Sequence, residues 1–260
     1  MKSPLQITQT PRYLMSMVRR MSTTPMAPAD FQRAYAWGKK DVLDLCDSIV
    51  SGYPLGSFFI WEISADQATG RTKTRLGPLE LDLAELSPTD EVEVVLDGQN
   101  RLATIAWLAR GANDPSSELV AKELVGQEQL VWGSKRSLVA YDLGRKCFDF
   151  FCASEIDQDY RIPSWILLGE TKINQFLREK FKGPWANLTE AEKDQIVVEV
   201  DELRQRFSSA MVIVTVLHRA SATQARDAFL KVCRTGVPMA EDDFMAAVNW
   251  QDPICREQSA

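Results

Sequence analysis

Histidine is almost missing from this chain: His218 is the only one in 260 residues. HNH nuclease centres, HExxH metal sites and histidine-based triads all need histidines at defined places, so a single residue removes those classes. His218 follows the β-like apolar run Met211 to Leu217 and reads as a structural residue at a strand end. The five cysteines (Cys46, Cys147, Cys152, Cys233 and Cys255) are odd in number and lack CxxC spacing. Neither a disulfide framework nor a zinc site is expected of them. No run approaches the roughly 18 apolar residues of a membrane helix. The stretch Leu14 to Val18 ahead of Arg19 and Arg20 is too short for a signal peptide. A cytoplasmic protein without a membrane partner is therefore expected. Basic charge is also short, with 30 Lys and Arg against 36 Asp and Glu and a net charge of -6. That weighs against a dedicated nucleic-acid binder but leaves room for a local basic cleft. Internal repeats and low-complexity tracts are absent.

What remains is an ordinary globular composition, 45% hydrophobic and 25% charged. Residues 1–30 are polar and rich in Thr, Met and Pro, and predict an N-terminal arm or helix. Val42, Leu45, Cys46 and Ile49 recur at helical spacing, with Gly52 placed to cap the C-terminus. Ser57 to Ile63 is aromatic and β-branched, a buried strand. The polar stretch 64–90 predicts a hairpin or loop. A short strand, Glu93 to Leu96, runs into Asp97-Gly98-Gln99-Asn100-Arg101, and a helix is expected from about Gln99 to Arg110. In the second half, strands are expected at Ser137 to Tyr141, Cys147 to Cys152 and Met211 to Leu217. Helices are expected at 173–181, 190–207, 222–232 and 240–248, the second opened by a Thr189/Glu192 capping box.

Two stretches carry chemistry. Where a strand passes through glycine directly into a helix, unpaired N–H groups and the positive end of the helix dipole bind anions. Gly98 allows close approach, Arg101 one turn on can reach the same phosphate, and Gln99 can orient a water. The same residues also fit a plain reading, Asp97 as an N-cap and Arg101 as a surface side chain. The second stretch, Phe31-Gln32-Arg33-Ala34-Tyr35-Ala36-Trp37, sets three aromatics around Gln32 and Arg33. The rings serve a core, or they flank a base or phosphate held by Gln32 and Arg33. Glu241-Asp242-Asp243 is a charged helix start more simply than a metal site.

In order, FQRAYAW, KKDVLDLCDSIVSGYPLGSFFIWE, VVLDGQNRLATIAWL and, at Phe229 to Met239, FLKVCRTGVPM resemble the N-terminal domain of the GmrSD-type modification-dependent restriction family. The likeness runs from about Phe31 to Phe244. It implies an α+β fold of the ParB/sulfiredoxin kind, a small mixed sheet with flanking helices, here extended by a helical C-terminal part. The domain would occupy residues 31–250, with 251–260 a tail. The resemblance also implies binding and hydrolysis of a nucleoside triphosphate, ATP or GTP, with Mg²⁺, coupled to sensing or cutting of modified DNA. Carried over by position, Asp97, Gln99 and Arg101 would be catalytic, and Gln32, Arg33, Gly98 and Asn100 would hold the nucleotide. Asp97 would cap the helix or hold Mg²⁺ through water. Three positions depart from the family pattern: Asn100 replaces a glutamine, Ala34 a proline and Cys233 an asparagine. With no histidine pair present, cleavage is expected from an HNH-type nuclease on another domain or chain. The alternative is a non-catalytic DNA- or protein-binding module whose NTPase site has decayed. Arg101→Ala is expected to abolish nucleotide binding with little change in melting temperature.

Overall fold

The computed structural model describes residues 5–21, 24–32, 34–77, 79–81, 86–109, 138–151, 160–168 and 173–234. Arg33, the expected helix 240–248 with its acidic trio, Cys152 and Cys255 lie outside that set. The chain forms two compact units, residues 1–220 and 221–260.

The first unit is built on a five-stranded mixed sheet in the order β1 (Gln6–Tyr13), β10 (Met211–His218), β3 (Ser57–Ser64), β6 (Glu91–Asp97) and β2 (Met26–Pro28). β1–β10 and β3–β6 are antiparallel, whereas β10–β3 and β6–β2 are parallel. One face carries the apolar side chains Phe58, Ile60, Val95, Val212, Val214 and Val216. Against it pack α1 (Leu14–Arg20), α2 (Lys39–Ser51) and α4 (Gln99–Ala109) through Leu14, Met17, Leu45, Cys46, Leu102 and Ile105. Burial of Cys46 in this layer pushes its thiol up to about 12, so it behaves as a small hydrophobe. α2 ends as its sequence predicts, with Gly52 at φ 74, a left-handed conformation that costs glycine nothing.

The expected hairpin within 64–90 is present as β4 (Arg75–Leu76) paired with β5 (Leu79–Glu80), preceded by the single turn α3 (Ala65–Ala68). Residues 1–30 supply β1, α1 and β2, so two of the five sheet strands come from a segment read as arm or helix. β1 escaped notice because QITQTPRY is polar and carries Pro11, a composition tolerated on an edge strand.

A second core lies between the three-stranded sheet β8 (Cys147–Phe151), β7 (Leu138–Asp142) and β9 (Arg161–Pro163) and the helices α5 (Ser164–Leu168), α6 (Ile173–Lys182) and α7 (Glu190–Ser209). Ile162, Ile166, Leu177, Trp185, Val200 and Leu203 fill it. α7 starts with the capping box foreseen: Thr189 Oγ1 accepts from the Glu192 amide, and Glu192 accepts from the Thr189 amide at 2.7 Å. The fold is α+β, with a mixed sheet and flanking helices. Of the second unit, residues 221–234 are described, chiefly α8 (Ala222–Arg234), which covers the first residues of the fourth motif. Among the described residues no helix is long and apolar enough to cross a membrane.

Candidate functional site

Three motifs that are far apart in the chain meet where β6 passes into α4. Gly98 sits at that junction with φ 93, and its carbonyl accepts the Leu102 N–H at 3.0 Å, the first bond of the helix. A Cβ at this position would lie 2.5 Å from the Phe58 ring, so only glycine lets the turn close on β3. The helix start is therefore fixed by backbone geometry and by a buried ring, at the end of β6.

Arg101, one turn into α4, reaches across to the GYPLGS turn. Its Nη1 donates to the Leu55 carbonyl and its Nη2 to the Ser57 carbonyl at 2.7 Å. The guanidinium also lies over the Phe58 ring, 5.1 Å from the centroid, and 3.8 Å from Asp97. The side chain is 19% exposed. Burial lowers its pKa and the Asp97 charge one turn back opposes that, which leaves a charged, partly desolvated cation. Gly56 sits at φ 75, a left-handed conformation that favours glycine, and a Cβ there would push on Arg101 Nη1. Asp97, with a side chain 51% exposed, stands at the mouth of the junction.

The FQRAYAW segment packs on the other side. Between Phe59 and Ile60 the β3–β6 register jumps from Asp97 to Val95, so Leu96 is bulged out of the ladder. Gln32 Nε2 donates to the Leu96 carbonyl that the bulge leaves over. Three residues on, the Tyr35 hydroxyl bonds Thr104 Oγ1 at 2.8 Å, and Thr104 in turn donates to the Asn100 carbonyl at 2.8 Å. Gln99 and Asn100 are both buried, and Asn100 Oδ1 has no hydrogen-bond partner.

Of the residues picked from sequence, the structure thus brings Gln32, Asp97, Gly98, Gln99, Asn100 and Arg101 together; Arg33 lies outside the described set. The sequence reading missed a cavity of about 250 Å³ beside them, lined by Trp37, Asp41, Asp44, Ser48, Leu55 and Arg101 among others. Part of its signal was available: Asp41, Asp44 and Ser48 follow one another at helical spacing and share one face of α2, with Trp37 just ahead of the helix. It also missed the partners of the two glycines, Phe58 and Arg101. Among the described residues no group of three or more His, Cys, Asp or Glu is placed to hold a metal ion. A divalent cation here would need Asp97 together with oxygens brought by a ligand.

Comparison with known proteins gives two results. An uncharacterized protein of Methanocaldococcus jannaschii is similar to this chain, 26% identical over 111 residues that make up 43% of this chain. The matched stretch spans 19% of that relative's length. The family described as GmrSD restriction endonuclease, N-terminal domain, matches residues 18–249, from α1 through β10 and beyond. With most of its length and all three converging segments inside that match, this chain belongs to the GmrSD restriction endonuclease N-terminal domain family.

Proposed function

We propose that this domain binds a nucleoside triphosphate, ATP or GTP, at the β6–α4 junction, and that hydrolysis there regulates DNA cleavage by an HNH-type nuclease on another domain or chain. Modified DNA would be the signal, and the cytoplasm the setting. The observation that carries the reading is the meeting of three motifs at one glycine-opened helix N-terminus. Backbone N–H groups at Gly98 and after it fit phosphate oxygens. Of the five N–H donors on Arg101, two are committed to the Leu55 and Ser57 carbonyls and Asp97 lies 3.8 Å from Nη2; a phosphate would take donors among the rest. Asp97 and Gln99 would place Mg²⁺-bound or attacking water, and the metal would supply charge neutralisation between phosphate oxygens. Gln32, held by the Leu96 carbonyl, fixes the floor of the site.

The test is phosphate release from ATP and GTP with Mg²⁺, in wild type, Gln99→Ala and Arg101→Ala, with and without modified DNA. Turnover in wild type that both variants lose supports the assignment. Turnover that survives in both overturns it.

One observation favours a second reading, a binding module without turnover. Arg101, the strongest cation at the junction, is anchored to backbone carbonyls, as a purely structural arginine would be. Nucleotide binding without phosphate release, or DNA binding with neither, would select that reading.

A further inference from the structure

The cavity beside Arg101 has a chemistry that the phosphate-binding role does not use. Arg101 is the one residue that both lines it and belongs to the first turn of α4, so the cavity opens beside the junction where the nucleotide is placed. At about 250 Å³ it falls just below the roughly 300–1,000 Å³ of pockets that enclose a drug-sized ligand, which suits a base more than a whole nucleotide.

Its walls differ in kind. Trp37 contributes aromatic surface and Leu55 apolar surface to the lining, the kinds of side chain on which a flat ring stacks. The α2 wall carries two carboxylates, Asp41 and Asp44, and the Ser48 hydroxyl. Carboxylates repel phosphate, so this is not where the phosphates lie. As ionised acceptors without donors, they select a ligand edge made of N–H groups. The two are not equivalent. Asp41 Oδ2 accepts the Gly38 N–H at 2.8 Å and so serves as the cap of α2. Asp44 pairs with Lys40 one turn before it, and both partners are well exposed, so that pair is weak and the carboxylate can be claimed by a ligand. Ser48 donates to the Asp44 carbonyl, which ties the hydroxyl to the helix.

Among the nucleic-acid bases, guanine presents two adjacent N–H donors in one plane, N1–H and the 2-amino group, matched to the two oxygens of one carboxylate. Adenine and cytosine set an acceptor beside their amino group, and uracil has a single N–H between two carbonyls. Those acceptors would face a carboxylate and be rejected by it. We propose that the cavity reads the base of the bound nucleotide and selects guanine, with Trp37 stacking on the ring and Asp44 accepting its N1–H and 2-amino protons. The inference rests on the nucleotide-binding reading above.

The test is isothermal titration of the whole chain with Mg²⁺ and the triphosphates of guanosine, inosine, xanthosine, adenosine and uridine, in wild type and Asp44→Asn. Inosine lacks the 2-amino group, and xanthosine puts an acceptor in its place that an asparagine amide can donate to. Wild type is expected to bind GTP at least about tenfold more tightly than the inosine and adenosine triphosphates, the weight of one charge-assisted hydrogen bond. Asp44→Asn is expected to lose that margin and to gain on the xanthosine triphosphate. Asp44 is exposed, so the variant should melt with wild type, and a matched melting curve verifies the comparison. Equal binding of all five by wild type, or an unchanged GTP-to-inosine ratio in Asp44→Asn, overturns the guanine proposal while leaving nucleotide binding intact. No binding of any triphosphate by the folded wild type overturns both.

Discussion

The Phe58 ring is pinched between two parts of one motif: the Arg101 guanidinium lies over it at 5.1 Å, and Gly98 abuts its edge so closely that no Cβ fits. A residue of β3 therefore holds both the bend that opens α4 and the cation one turn into it. The DGQNR and GYPLGSF stretches act as one structural unit, and mutations in either should be felt in the other.

Arg101→Ala should cost stability as well as binding, contrary to what the sequence suggests. It leaves the Leu55 and Ser57 carbonyls without their charged donor, worth about 2 kcal/mol, which at this chain length lowers Tm by several degrees. A melting curve within a degree of wild type would show that those bonds carry no weight. Arg101→Lys should keep the charge but not the two-carbonyl grip, and should fall between.

Gly98→Ala should be among the most damaging single changes in the domain. The strained φ costs about 1 kcal/mol and the contact with Phe58 adds more, for a total on the order of 3 kcal/mol. Pairing it with Phe58→Leu should recover the steric share but not the conformational one. Denaturant titration of the two singles and the double reads this directly, and strictly additive losses would remove Phe58 from the explanation.

Asn100→Gln introduces the glutamine that the sequence resemblance implies and lengthens by one methylene a side chain whose oxygen finds no partner. Phosphate release should rise several-fold if hydrolysis is limited by that reach. A variant that binds nucleotide but turns over no faster than wild type would place the limit elsewhere.

Away from the site, β3 and β6 carry a carboxyl pair. Glu91 titrates above its ordinary value chiefly because it hydrogen-bonds Glu62, with burial adding to the effect. Glu62 titrates below: burial pushes it up, but hydrogen bonds with His218 and Glu91 outweigh that. The proton held on Glu91 stabilises the fold fully below about pH 4.3, and that contribution is lost as pH rises through its elevated folded value. The Glu62 contribution is present above about pH 4.3 and disappears as pH falls through its lowered folded value. Glu91→Gln keeps an N–H donor toward Glu62 at every pH. Its Tm relative to wild type should climb between pH 4.5 and 7, and a difference flat across that range would refute the shared proton.

Much of this was readable in the residues. The strands Ser57 to Ser64 and Met211 to His218 declare themselves by β-branched and aromatic runs, and α7 by its Thr189/Glu192 box. DGQNR was marked by a glycine between a strand and a helix. What hid was whatever depends on a distant partner. β1 is polar because it is an edge, and becomes a strand only because β10 offers a ladder. The buried Glu93, 1% exposed, looks like a surface residue of a short strand until Arg12 of β1 and Arg20 of α1 arrive over it. The cavity of Trp37, Asp41, Asp44 and Ser48 needs the turn at Leu55 to become a cavity at all.

The sheet order has a consequence for how the site comes into being. β3, whose entry supplies both carbonyls to Arg101, is completed on one side by β6 nearby in sequence but on the other by β10, and β1 joins only through β10. Thr8 and His218, bonded in the finished sheet, are 210 residues apart. During synthesis the whole DGQNR region therefore emerges well before the strand that closes the sheet around it. Until residues 211–218 arrive, β3 has an open edge and β1 has nothing to pair with, so the domain should fold slowly and late, as non-local sheets do. The β6–α4 junction, local as its motifs look, is in this sense finished by the far end of the first unit.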